Sequence, residues 1–285
     1  MGNVWDGETL ARYRAYLLGE ERSAGTVEKY LRDIREFSAW LPAGAAVEKA
    51  AVLRWKEFLC RKYAASTVNG KLAALNGFLA FLGRPECRVR PLKRQREIFR
   101  ERARELTRQE YLRLLRTAQA ERNERLCLVM ETLCSTGMRV SELRFVTVES
   151  LERGYAVVDC KGKLRTVLMT KGLRRALRDY CRRQGRRAGP VFATRSGRPL
   201  DRSNIWREMQ ALGRRAGVEA RKVFPHNLRH LFAVTFYRME KDIAKLADLL
   251  GHASIETTRI YLMESGAEHT RMLERLGLVL RATTE

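Results

Sequence analysis

Five side chains in the C-terminal half are the parts needed to cut a phosphodiester without a metal: Arg139, His226, Arg229, His252 and Tyr261. Two arginines can neutralise both non-bridging oxygens of a phosphate as phosphorus becomes pentacovalent, because each guanidinium presents a planar fork of donors. Histidines add hydrogen bonds or accept a proton, and a phenol hydroxyl can attack phosphorus to give a reversible covalent ester. The spacing matters as much as the residue types. His226 and Arg229 stand three apart directly after Pro225, so both project from one face of a helix start. His252 follows Leu250-Gly251, and Tyr261 follows His252 by nine.

The settings of these residues are Thr136-Gly137-Met138-Arg139-Val140-Ser141-Glu142-Leu143, Pro225-His226-Asn227-Leu228-Arg229-His230 and Leu250-Gly251-His252, with Tyr261 last. In that order they resemble the active-site signature of the tyrosine recombinase (lambda integrase) family. The resemblance implies a type IB strand transfer, in which Tyr261 attacks one DNA strand and leaves a 3′-phosphotyrosyl bond and a free 5′ hydroxyl. A 5′ hydroxyl from a partner duplex then reverses the step. Arg139 and Arg229 are the expected phosphate clamps. His226 is expected as a hydrogen-bond donor or proton acceptor near the phenol, and His252 as a donor to a non-bridging oxygen. Glu142, three residues after Arg139, can orient Arg139 or His226. The resemblance further implies a hairpin lysine that protonates the leaving 5′ oxygen. Lys161 fits that place, although Cys160-Lys161-Gly162-Lys163-Leu164-Arg165 departs from the commoner G-K-G-x-K-x-R. Cysteine replaces the first glycine and the run is one residue shorter, which leaves Lys163 as the alternative. No nucleotide cofactor and no metal is expected.

The family also implies an architecture: mainly α with a small β-sheet in the C-terminal domain, forming a two-domain DNA clamp. A helical, SAM-like core-binding domain is expected at 1–83, a basic interdomain linker at 84–104 and the catalytic domain at 105–285. A C-terminal helix at about 266–280 would dock into a neighbouring protomer. The implied partners are a double-stranded DNA recombination site and further copies of the chain, four on two sites. An accessory DNA-bending or directionality protein is compatible with that arrangement. With no arm-binding domain before the helical unit, the layout suits a compact Xer-like or mobile-element recombinase.

The apolar pattern agrees with this layout. Val27, Tyr30, Leu31, Ile34, Phe37 and Leu41 recur at three and four, the period of an amphipathic helix. Similar stripes at Leu10–Leu18, at Leu53, Phe58 and Leu59, and at Val68, Leu72, Leu75, Leu79 and Leu82 make residues 1–83 a four-helix unit. Residues 84–104 then hold nine Arg or Lys against three Glu, with prolines at 85 and 91. They read as a tether able to lie along phosphates. Thr107 and Glu110 have capping-box spacing, and Tyr111, Leu114, Leu115 and Ala118 follow as a buried stripe. Helices are expected at Leu126–Cys134, Val140–Leu143, Arg202–Ala216, Asn227–Arg238, Asp242–Leu250 and Ile255–Met263. Two strand-like runs, Tyr155–Val158 and Arg165–Leu168, flank a Lys161-Gly162-Lys163 turn.

Lys plus Arg number 56 against 33 Asp plus Glu, a formal charge of +23 that favours a polyanionic partner such as nucleic acid. No apolar run is long enough to span a bilayer and no signal core opens the chain, so a cytoplasmic, nucleoid-associated protein without a membrane partner is expected. Six cysteines without a C-x-x-C pair argue for reduced thiols. His226 and His230 stand four apart as zinc-helix ligands do, but no Glu follows His226 and no third ligand is evident, so His230 is assigned to structure. Among the other tyrosines, Tyr30, Tyr111 and Tyr155 fit core stripes and Tyr237 is the nearby rival to Tyr261. Residues 242–262 also fit a helix-turn-helix, a reading that leaves Arg139, Arg229 and the hairpin lysine without a role. A type IB topoisomerase would share the chemistry and differ in not pairing two duplexes.

Overall fold

Asp6 and Ser23 each accept the amide of the residue three further on, and at these caps begin α1 (Gly7–Gly19) and α2 (Ala24–Trp40). Two further helices, α3 (Lys49–Lys62) and α4 (Ala65–Phe81), complete the expected set of four. The computed structural model describes residues 5–42, 45–93, 104–160, 163–194, 196–252, 254–261 and 274–276. The chain divides into two compact units, Met1–Arg96 and Glu97–Glu285. In the first, α2 buries Val27, Leu31, Ile34 and Phe37, and α4 buries Val68, Leu72, Leu75 and Leu79, as their spacing requires. In α3 the phase differs from the expected stripe. Trp55 takes the inward position with Ala51, Val52 and Leu59, which turns Leu53 and Phe58 outward.

The expected linker is not a tether over its first ten residues. A 3-10 turn at Pro85–Cys87 leads into an extended run, and Cys87 of the turn and Val89 of the run are buried in the core of the first unit. Asn69 and Asn76, two turns apart on one face of α4, hold that run by its backbone. Asn76 donates to the Val89 carbonyl at 2.8 Å and accepts the Val89 amide at 3.1 Å. Asn69 does the same for Leu92, at 3.0 and 2.7 Å. Lys56 adds a bond to the Arg90 carbonyl. Two side-chain amides thus stand in for the neighbouring strand this segment lacks, and the basic side chains of residues 84–93 are carried on an ordered backbone. Residues 94–103 lie outside the described residues.

The second unit starts at the Thr107 capping box, where Thr107 and Glu110 bond reciprocally as their spacing predicts. There follow α5 (Arg108–Ala120), α6 (Glu124–Thr136), a 3-10 helix at Val140–Phe145, α7 (Val148–Arg153), and α8 (Lys171–Arg183) after a hairpin. Then come α9 (Arg202–Arg215), α10 (Pro225–Glu240), α11 (Ile243–Leu250) and α12 (Ile255–Arg259). Neither α7 nor α8 was marked by the sequence pattern. The axis of the unit is α6, buried from Leu126 through Met130 and again at Leu133, with α5, α8, α9 and α10 packed round it. Its C-terminus therefore delivers Gly137 and Arg139 from a rigid support.

The hairpin pairs β1 (Tyr155–Cys160) with β2 (Lys163–Leu168), antiparallel, from Tyr155↔Leu168 to Cys160↔Lys163. Each strand extends two residues further toward the turn than the alternation suggested, which places Lys163 in the ladder and leaves Lys161-Gly162 as the connection. Ala156, Val158 and Val167 face the core, whereas Val157, Leu164 and Leu168 face outward. Lys161, and all of the expected C-terminal helix at 266–280 except 274–276, lie outside the described residues. No described helix is long and apolar enough to cross a membrane.

Candidate active site

Arg139 is delivered by a tight turn at the end of α6. Gly137 caps that helix at φ +65°, and a Cβ there would meet Phe232 of α10 at 2.4 Å, so only glycine fits. Two residues later Arg139 serves as the N-cap of the 3-10 helix. Its amide donates to Glu142 Oε2 at 2.7 Å and its guanidinium to Oε1 at 3.0 Å. Glu142 is 1% exposed. Burial pushes its carboxyl up, but the Arg139 amide and the Arg165 guanidinium outweigh burial and hold it below the usual carboxylate range.

Arg165 on β2 is the residue that sequence reasoning passed over. Nη2 reaches Glu142 Oε2 at 2.6 Å and Nη1 reaches the Leu249 carbonyl, near the end of α11, at 2.7 Å. Its stem crosses Gly251, where φ is +63° and a Cβ would lie 2.1 Å from Arg165 Cδ. One arginine thus joins the hairpin, the Arg139 turn and the turn that carries His252. Its signal was present in Lys161-Gly162-Lys163-Leu164-Arg165, but nothing local says where the side chain goes.

On α10, Pro225 starts the helix and His226 and Arg229 follow on one face. Arg229 is 1% exposed. It donates to the Gly137 carbonyl at 2.7 Å, to the Leu250 carbonyl at 2.8 Å and, through Nη2, to His252 Nε2 at 2.7 Å. Burial draws its pKa down, opposed first by a hydrogen bond with the Tyr261 side chain. His252 Nδ1 lies 2.8 Å from Thr258 Oγ1 of α12. A guanidinium only donates, so Nε2 must accept and the ring proton sits on Nδ1, directed at Thr258. Burial and the Arg229, Arg139 and Arg165 charges push the His252 pKa down to about 4, which keeps the ring neutral. Nε2 is thus an acceptor that holds Arg229, a bond the sequence does not announce.

Tyr261 is 7% exposed and closes the group. The His252 ring stacks on it at 5.7 Å with an interplanar angle of 7°, and the rings of His226 and His230 stand 5.7 and 5.4 Å away. His230, assigned to structure, is buried with Nε2 3.7 Å from a Glu105 carboxylate oxygen, yet it also borders the phenol. The rival Tyr237 packs in the Phe232 and Phe236 cluster with the Lys241 ammonium over its ring. Tyr155, expected in a core stripe, sits on the outer part of β1 beside Arg153.

A cleft of about 840 Å³ opens over Arg139, His226 and Arg229. Its far wall is the start of α9, where Arg202, Arg207 and the half-exposed indole of Trp206 face the same space. The structure therefore gathers Arg139, His226, Arg229, His252 and Tyr261 at one place, from segments more than 120 residues apart in the chain. Among the described residues, no three His, Cys, Asp or Glu side chains form a set that could hold a metal ion.

A helical unit with two arginines converging on an open cleft and a tyrosine packed among histidines has the side chains expected of a tyrosine recombinase. Residues 104–268 match the phage integrase family, and residues 10–86 match its N-terminal SAM-like domain. The chain belongs to this family, the tyrosine recombinases. It is 30% identical over 281 residues to the tyrosine recombinase XerA of Pyrococcus furiosus, covering 95% of each chain. It is 31% identical over 270 residues to the tyrosine recombinase XerC of a Roseiflexus species, covering 86% of this chain and 85% of the relative. Its fold is similar to that of a lambda integrase tetramer bound to a Holliday junction, with a TM-score of 0.71, 19% identity, and 89% and 76% of the two chains covered.

Proposed function

We propose that this protein is a site-specific DNA recombinase that cuts and rejoins strands through a covalent tyrosine intermediate. The observation that carries the reading is the convergence on one cleft of Arg139 and Arg229, with His252 bonded to Arg229 and stacked on Tyr261. In the step proposed, the Tyr261 oxygen attacks phosphorus and its proton passes to His226. The bond from phosphorus to the 5′ oxygen breaks, and that oxygen takes a proton from the hairpin lysine, Lys161 or Lys163. Arg139 and Arg229 each hold a non-bridging oxygen, with Arg229 Nη2 moving from His252 Nε2 to the phosphate. Since Glu142 and the Gly137 and Leu250 carbonyls already aim these guanidinium groups, little reorganisation accompanies the reaction.

Partners follow from the same reading. The first unit is proposed as the core-site-binding domain on double-stranded DNA, with residues 266–280 docking into a neighbouring copy so that four copies hold two sites. An accessory DNA-bending protein is compatible with this assembly. The test is covalent capture: nicked fragments of the native genomic neighbourhood are incubated with the protein, denatured in detergent, and DNA left attached to protein is sequenced. A Tyr261-dependent adduct at a discrete sequence is expected. Adducts that persist in Tyr261→Phe, or retention without covalent attachment on genome-wide fragments, count against the mechanism.

A further inference from the structure

A second basic surface lies on α8, apart from the cleft. Residues 171–187 hold eight Lys or Arg (171, 174, 175, 178, 182, 183, 186 and 187) against Asp179 alone. The helix buries Leu173, Leu177, Tyr180 and Cys181. At 100° per residue, the exposed Lys171, Arg175, Arg178 and Arg182 fall within about 60° of one another on the opposite side, in a row about 17 Å long. Arg174 joins the row from its edge. Its Nε and Nη2 donate to the Leu151 and Glu152 carbonyls at 2.8 and 2.9 Å, and Arg178 Nη2 donates to the Leu151 carbonyl at 3.1 Å. These carbonyls belong to the last turn of α7, so two guanidinium groups are fixed by neutral acceptors and keep their charge uncompensated.

Lys171, Arg174, Arg175, Arg178, Asp179 and Arg182 line a groove of about 530 Å³, and none of them lines the catalytic cleft. Asp179 Oδ1 lies 3.4 Å from Arg182 Nη2 and offsets part of the charge at that end, but Lys171, Arg175 and Arg178 remain like charges at i, i+3 and i, i+4, which repel and weaken a helix. A row of them along one line is relieved by a rigid polyanion that meets several at once. The groove wall carries no aromatic or aliphatic side chain of the kind that anchors a protein partner. Contact with a nucleic-acid backbone requires none, since phosphate oxygens are held by Arg and Lys alone. The row matches the rise of about five base pairs at 3.4 Å each.

We propose that the α8 face binds the sugar–phosphate backbone of duplex DNA outside the stretch that occupies the catalytic cleft. This surface goes beyond the strand-transfer reaction and does not depend on Tyr261. The test compares the full-length protein with Lys171→Gln/Arg175→Gln/Arg182→Gln, which leaves the α7-anchoring Arg174 and Arg178 in place. A control, Arg108→Gln/Arg113→Gln/Arg116→Gln, removes equal charge from the exposed face of α5. Binding to a random-sequence duplex of about 60 base pairs is followed by fluorescence anisotropy from roughly 50 to 300 mM KCl. Thermal melting verifies that each variant is folded. The α8 variant should lose about 2.7 from the slope of log K against log salt, three contacts at about 0.9 each, and bind about 100-fold or more weakly at 0.1 M salt. The α5 control should keep the slope. An unchanged slope in the α8 variant overturns the proposal, as does an equal loss in the control, which would make the effect one of net charge. An unchanged slope with an altered sedimentation coefficient overturns it in favour of a contact between protein chains.

Discussion

Arg229 Nη2 donates to His252 Nε2 at 2.7 Å, and this bond fixes which ring nitrogen of His252 carries the proton. Burial first, and then the facing Arg229 guanidinium with the Arg139 and Arg165 charges, keep the ring neutral down to a pKa of about 4. The ordinary value of 6.5 applies to the unfolded chain. A group whose folded pKa is depressed contributes stability that is complete above the unfolded pKa and is lost as pH falls through the folded one. Stability should therefore decline between pH 6.5 and 4, with His252 contributing no more than about 3 kcal/mol of the loss after allowance for its partial exposure. Urea unfolding of the protein and of His252→Gln at pH 7 and pH 4.5 checks this. The destabilisation caused by the substitution should be smaller at the lower pH, and an equal gap at both would place the His252 pKa near its ordinary value.

Tyr261→Phe removes an oxygen and keeps the ring that packs with Ala233, Leu246 and Leu250. Melting should shift little, because the apolar contacts persist. Covalent capture of nicked DNA should vanish while DNA binding is retained. An adduct that survives the substitution assigns the nucleophile elsewhere.

Arg229→Lys should act on rate and stability together. A lysine ammonium replaces a planar fork that spans the Gly137 and Leu250 carbonyls and His252, and leaves buried acceptors without their donors. Cleavage should slow by on the order of 10³-fold, and unfolding free energy should fall by about 2 kcal/mol. Single-turnover cleavage and denaturant titration measure the two. Wild-type cleavage in the lysine variant would mean that point charge suffices.

Gly251→Ala should be more harmful with Arg165 present than without it. The left-handed backbone costs an alanine about 1 to 2 kcal/mol in any background. The clash with Arg165 Cδ adds to it only when that side chain exists. A double-mutant cycle with Arg165→Ala should therefore show coupling of about 1 kcal/mol or more. Additive effects would mean that Arg165 moves aside freely.

Asn69→Ala and Asn76→Ala should each release part of the Arg84–Lys93 segment. Every one of these amides satisfies both a backbone donor and a backbone acceptor, so each substitution should cost about 1 to 3 kcal/mol. Trypsin cleavage after Arg88 should become faster, read by mass spectrometry of timed digests. Unchanged protection would show that burial of Cys87 and Val89 is enough to hold the segment.

The helices other than α7 and α8, the capping box at Thr107 and the shared face of His226 and Arg229 were legible because they depend on short separations, whereas the grouping of Arg139, His226, Arg229, His252 and Tyr261 followed from the resemblance of the ordered motifs to the tyrosine recombinases. A three-four apolar period fixes a helix face, His226 and Arg229 at three apart must share one, and glycine after Leu250 ends a helix wherever it occurs. What local pattern left open depends on partners distant along the chain. Arg165 meets the Leu249 carbonyl across 84 residues and Arg229 meets the Gly137 carbonyl across 92. No periodicity encodes such contacts, because they arise only once α6, the hairpin, α10 and α11 pack together. The direction of the His252 bond was hidden for the same reason: a ring nitrogen donates or accepts according to what faces it. Composition likewise marked residues 84–104 as a basic linker, whereas two asparagines on α4 bind the backbone of Val89 and Leu92, and backbone groups carry no sequence signature.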